Sequence, residues 1–195
     1  MSNDIWKDRE RAFEEQWALV HDAELIEKLR AQARLEEITG ALAKKLEVDQ
    51  PELLRRVIDL GITLETGPAL LLAPLIQIAW AEARVTEQER AAVLRVAVAR
   101  GLAEDSPAYA QLVEWLGKRP SDALFDTATE VIQAGYSVLP PAERDARVVV
   151  FAKACQQVAE ASGGGLARLL GMHHGVSAQE HAILDRIKAM LRAPA

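Results

Sequence analysis

From Asp4 to Leu46 the chain has no proline and only one glycine, Gly40, and is dominated by Glu, Lys, Arg, Gln, Ala and Leu. Those side chains lose little rotamer freedom in a helix, so the stretch predicts one long helix, or two divided near Gly40. Apolar residues Trp6, Phe13, Trp17, Val20, Leu25 and Leu29 recur at mostly three-, four- and seven-residue steps. They make a narrow stripe on an otherwise charged surface. No later segment alternates polar and apolar residues between hairpin turns, so the fold class is all-α. The expectation is a helical bundle of about seven to nine helices with a long N-terminal helix.

Composition agrees with that class. Half of the 195 residues are hydrophobic but only 5% are aromatic, and 27% are charged, with 11 Gly and 8 Pro. This excludes collagen-like, disordered and disulfide-rich chains. A chain of this size buries about 70% of its unfolded surface and needs no covalent staples. The net charge of −6 lacks the basic footprint of a nucleic-acid binder. It is also uneven: residues 1–67 hold 10 Lys/Arg and 15 Asp/Glu, a net −5, and the rest hold 13 and 14, a net −1. Cys155 is the single cysteine, which fits a reducing compartment. The opening MSNDIWKDRERAFEE has no apolar signal core, and the apolar stretch Pro68–Ile76 is far short of a membrane span. The expectation is a cytoplasmic protein with no membrane span and no nucleic-acid partner.

Helix punctuation divides the remainder. Asp49 and Pro51 read as an N-cap with proline in the first turn of a short helix to about Leu60. Thr66-Gly67-Pro68 opens ALLLAPLIQIAWAEA, apolar almost all round and therefore central, with Pro74 kinking it or marking its true beginning. Thr86 and Glu89 form a capping box for a helix that stops at Arg100-Gly101. Ser106-Pro107 caps a helix to Gly117, and Ser121 or Asp122 caps one to about Leu139. Pro140-Pro141 starts a helix to about Ser162, with Cys155 on its inward stripe as a small hydrophobe. Gly163-Gly164-Gly165 comes next as a flexible helix stop, and Ser177 with Glu180 makes a second capping box. Two domains are expected, a charged helical segment at 1–48 and an all-helical domain at 49–195.

The two capping boxes echo each other. VTEQERA (Val85–Ala91) and VSAQEHA (Val176–Ala182) share four of seven residues, with Thr replaced by Ser at a fifth. They read either as two independent caps or as two similar helix–loop–helix units.

Few residues carry chemistry. His173, His174, Glu180 and His181 form the one cluster with metal-ligand character, imidazoles suiting Zn²⁺, Ni²⁺ or Cu²⁺. No HExxH spacing is present, and the histidines read first as a solvated loop pair. Gly163–Gly165 lacks the Lys-Ser/Thr and the preceding strand of a phosphate loop. His21 beside Asp22 reads as a surface residue, and no nucleophile–base arrangement stands out. No catalytic residue and no cofactor is therefore assigned. Trp6, Phe13 and Trp17 either pack on the bundle or form a stripe for a protein partner or self-association, because aromatics in a charged setting anchor interfaces.

The segment PLIQIAWAEARVTEQERAAVLRVAVARG resembles the tellurite-resistance TerB-like family, in which an apolar helix ends in an ADGxVxxxE turn before a second amphipathic helix. Here the turn is Ala81-Glu82-Ala83-Arg84-Val85, followed by Glu89, and the Val176–Glu180 echo fits the family's second unit. The resemblance covers roughly residues 67–192. It implies a compact helical bundle of a bacterial, non-enzymatic protein linked to stress response, metal-ion sensing or protein association. Candidate metal-facing residues are Glu82, Glu89, His173, His174 and Glu180. The family's Asp-Gly is Glu82-Ala83 here, and the second turn offers His173-His174-Gly175, which departs from an oxygen-rich Ca²⁺ site.

The strings DRERAFE (Asp8–Glu14), HDAEL (His21–Leu25), Ala33-Arg34 and Ile38-Thr39-Gly40 resemble the zeta-type inhibitor of the alphaproteobacterial ATP synthase. That resemblance implies a helix inserted into a rotary ATPase. Two extra residues, Leu19 and Val20, precede His21, and in a continuous helix they rotate every later residue by about 200°.

Overall fold

The computed structural model describes the backbone of residues 2–162 and 178–192, and the side chains of residues 24–161 and 178–192. Among the described residues there are nine helices and no strand. They are α1 (Ser2–Leu46), α2 (Pro51–Asp59), α3 (Gly67–Leu70), α4 (Ala73–Ala79), α5 (Glu87–Ala99), α6 (Pro107–Gly117), α7 (Asp122–Ser137), α8 (Pro141–Ser162) and α9 (Ala178–Arg192). None is long and apolar enough to cross a membrane. The chain forms two compact units, Met1–Gly40 and Ala41–Ala195.

The first unit is helical from Ser2 and passes through Leu19-Val20 without a break. Every residue from Glu24 to Ile38 is exposed. Arg30 pairs with Glu27 at 3.1 Å and Gln32 donates to Glu36 at 3.1 Å. Such exposed pairs each add only about 0.2–0.5 kcal/mol.

The second unit holds the core. Leu42, Leu46 and Val48 are buried in it, so the last turns of α1 belong with the bundle, ahead of the 48/49 boundary expected from composition. The helix ends in a Schellman turn: the Val48 amide donates to the Ala43 carbonyl at 3.1 Å, with Glu47 at φ 56°. The same turn closes α2 and α5, where Gly61 (φ 78°) and Gly101 (φ 86°) take the left-handed position. In all three the following apolar residue, Val48, Ile62 or Leu102, packs on the core. Only Glu47 lacks glycine's freedom there.

Helix α4 is the central element. Ala73, Pro74, Leu75, Ile76, Ile78 and Ala79 are all buried, and the helix touches α5, α6, α7, α8 and α9. Pro74 marks its beginning, because its fixed φ suits the first turn and its missing N–H has no helical partner to lose. The apolar run is thus split into α3 and α4, and it ends at Ala79 before the Ala81–Arg84 turn.

The other caps agree with the sequence, with one correction, at the start of α2. Thr86 and Glu89 form a reciprocal capping box on α5. Ser106 accepts from the Tyr109 amide, and Ser121, not Asp122, accepts from the Leu124 amide. At α2 the N-cap is Gln50 rather than Asp49, and it makes no side-chain cap. Pro51 alone sets that start, since its φ is already helical. Inward stripes on α7 (Leu124, Ala128, Val131, Ile132) and α8 (Val148, Phe151, Cys155, Val158) are buried. Arg186 bridges α9 to Asp126 of α7 at 3.1 Å, and Arg56 of α2 pairs with Glu130 of α7.

Candidate functional site

The repeated motif contributes two buried carboxylates. Glu89 is 2% exposed and Glu180 is 1% exposed. The Thr86 amide and hydroxyl each donate to Glu89 Oε2 at 2.7 Å, and the Glu89 amide donates to Thr86 Oγ1 at 3.2 Å. Burial pushes the Glu89 carboxyl above the ordinary glutamate range, and the two Thr86 donors pull it back. The charges of Glu180 and Glu82 then push it up again. Residues 91 positions apart in the sequence thus meet closely enough to feel each other's charge. On the α5 side the Thr86–Glu89 capping box fixes where Glu89 sits.

The turn before α5 also has a recognisable geometry. Ala83 adopts φ 62°, and its amide donates to the Trp80 carbonyl at 3.0 Å. Trp80 is held in turn by its indole N–H, which donates to the Trp115 carbonyl of α6 at 2.8 Å. A left-handed alanine is costly by about 1–2 kcal/mol, so the surrounding structure fixes this turn rather than the residue's own preference.

The five metal candidates are only partly brought together. Glu82 is exposed at the turn, and Glu89 and Glu180 are buried behind it. His173 and His174 lie outside the described residues, as do the Gly163–Gly165 turn and Ser177 of the second capping box. Among the described residues no group of three or more His, Cys, Asp and Glu side chains is arranged to hold a metal ion. Glu89 Oε2 accepts both Thr86 donors, which is the work of a helix cap.

The partner-binding candidates Trp6, Phe13 and Trp17 are in the helical backbone of α1, and their side chains lie outside the described ones. Further along the same helix, Leu25 is 51% exposed and Leu29 is 58% exposed. Ile26, Leu35 and Ile38 join them as exposed large apolar side chains, which the narrow stripe in the sequence did not single out. Leu25 and Leu29, four residues apart, share one face, and Leu35 and Ile38, three apart, share another. The signal was available: five large aliphatics in fourteen residues is dense for a solvated helix.

Cys155 is fully buried, and burial pushes its thiol up to about 12. It packs as a hydrophobe, as its place on the α8 stripe suggests. Comparison with protein-family models, curated proteins and solved structures found no match.

Proposed function

We propose that this chain is a non-enzymatic, TerB-like helical scaffold that acts by protein–protein association, with α1 as the binding element. The observation that carries the reading is the exposed apolar set Leu25, Ile26, Leu29, Leu35 and Ile38 on a helix in which every residue from Glu24 to Ile38 faces solvent. Exposed aliphatics on a solvated helix suit a hydrophobic groove, read as anchors at helical spacing. Upstream, Trp6, Phe13 and Trp17 extend the candidate surface by sequence.

Three observations support the TerB-like part. The capping box forms as that family's turn requires, and Ala83 takes a positive φ at the place where the family motif has glycine. The repeated motif delivers Glu89 and Glu180 to one buried neighbourhood. A role in a metal or envelope stress system belongs to the same proposal, as does a cytoplasmic location.

The ATPase-inhibitor alternative draws less support. Helix α1 is continuous through Leu19-Val20, so the two added residues carry their full rotation of about 200° into everything downstream. An ATP-hydrolysis assay with excess full-length protein separates the two readings, since association alone leaves hydrolysis unchanged.

The association reading is tested by Leu25→Glu with Leu29→Glu in the full chain, using sedimentation, cross-linking and melting. The expected result is loss of self-association or of cross-links to a partner, with an unchanged melting temperature. Unchanged assembly in the double variant overturns the reading.

A further inference from the structure

A cavity of about 190 Å³ opens in the second unit between the end of α1, α7, α8 and the C-terminus of α5. Part of its wall is apolar, contributed by Leu71, Val131 and Phe151 among others. Two guanidinium groups, Arg100 and Arg147, and the Tyr136 side chain also line it. We propose that this cavity is a binding site for a small organic monoanion, a carboxylate on a short aliphatic or aryl body.

The charges are arranged for that ligand. Arg100 is an exposed residue whose guanidinium lies over the Phe151 ring, 5.2 Å from its centroid. Arg100 has no ion-pair partner among the described residues, whereas Arg147 is shared with Glu143 at 3.0 Å. Tyr136 makes no side-chain hydrogen bond among the described residues, so its hydroxyl is available as a donor. Burial raises its pKa while Arg100 and Arg147 oppose that rise, which places both cations within electrostatic reach of the phenol.

Glu47 also lines the cavity, and with Arg147 paired to Glu143 the cation left for a ligand is Arg100. A single negative charge fits that cation better than a phosphate dianion. The size agrees: a cavity of about 150 Å³ lined by apolar groups holds benzene, so this one takes a six- to eight-atom body with its headgroup at the guanidinium side. Planar guanidinium groups pair carboxylates bidentately, and Leu71, Val131 and Phe151 offer the ligand's body an apolar surface to cover.

This site is independent of the α1 surface. Its test is titration of the full chain with sodium hexanoate, monitored by amide NMR at Val131 and Gly135, with 1-hexanol, hexylamine and inorganic phosphate as comparison probes. Saturable shifts with hexanoate and none with the other three are expected. Arg100→Gln should weaken hexanoate at least about tenfold, since a charge-assisted hydrogen bond is lost. Tyr136→Phe, which keeps the ring and the packing, should weaken it about threefold, the smaller loss of a neutral donor. Absence of saturable hexanoate binding overturns the proposal. So do equal or tighter binding of hexanol, hexylamine or phosphate, and parental affinity in a folded Arg100→Gln or Tyr136→Phe chain.

Discussion

Residues 24–40 and residues 41–192 use the same helix formers to opposite ends. Among the described side chains every buried residue lies between Leu42 and Leu191, and none lies before it. The two parts of α1 show the contrast within one helix: Leu35 and Ile38 are exposed, while Leu42 and Leu46 are core residues. Helix propensity is therefore enough to make the backbone helical in both places, but only tertiary burial gives a helix a stake in the stability of a fold. Apolar residues that contribute nothing to a core are candidates for contact with something else.

Substitutions can break or sharpen this contrast. The largest effect belongs to the centre: Leu75→Ala on α4, at a fully buried site, should cost about 2–5 kcal/mol in denaturant unfolding. Leu29→Ala, at a site 58% exposed, should stay within about 0.5 kcal/mol of the parent. If the two cost alike, the division into core and free surface is wrong. Next in size are Thr86→Ala, expected to cost about 0.5–2 kcal/mol through the lost cap, and Ala83→Gly. The latter should stabilise by about 1 kcal/mol, by removing a left-handed alanine at φ 62°. A destabilised Ala83→Gly chain would show that the turn is not strained.

A smaller effect concerns pH. The folded-state pKa of Glu89 is raised above its unfolded value. The folded chain therefore binds this proton more tightly, and the corresponding stability is fully present below the unfolded pKa and lost as pH rises through the folded one. Glu89→Gln keeps an acceptor for the Thr86 donors but removes the charge. It should melt above the parent at neutral pH, with the gap closing in acid. A gap that widens in acid would mean that the carboxylate is stabilised where it sits. The smallest effect is on reactivity: Cys155, with its thiol pushed up to about 12, should not react with a thiol reagent until the chain unfolds.

Much of the bundle was legible because its punctuation is local. Pro74, Ser106, Ser121, the Thr86/Glu89 box and Gly101 act on their nearest neighbours, and each helix begins or ends where they stand. Less legible were features set by tertiary packing. Glu47 and Ala83 adopt left-handed conformations that neither residue prefers, and Gln50 displaces Asp49 as the cap because Pro51 has already fixed the helix start. The boundary at Gly40 depends on Leu42 and Leu46 finding the core, which composition does not record. The cavity is assembled from residues between Leu46 and Phe151, and no sequence window contains it. The glutamate pair was half visible: the echo named both residues, and the fold brought their charges within reach.

The most direct measurement compares the full chain with a chain beginning at Ala41, by thermal melting and sedimentation together. Residues 41–195 should melt cooperatively within a few degrees of the full chain and remain monomeric, while association, where the full chain shows it, disappears. A large fall in melting temperature, or association retained without residues 1–40, would contradict the assignment of stability to the bundle and of binding to α1.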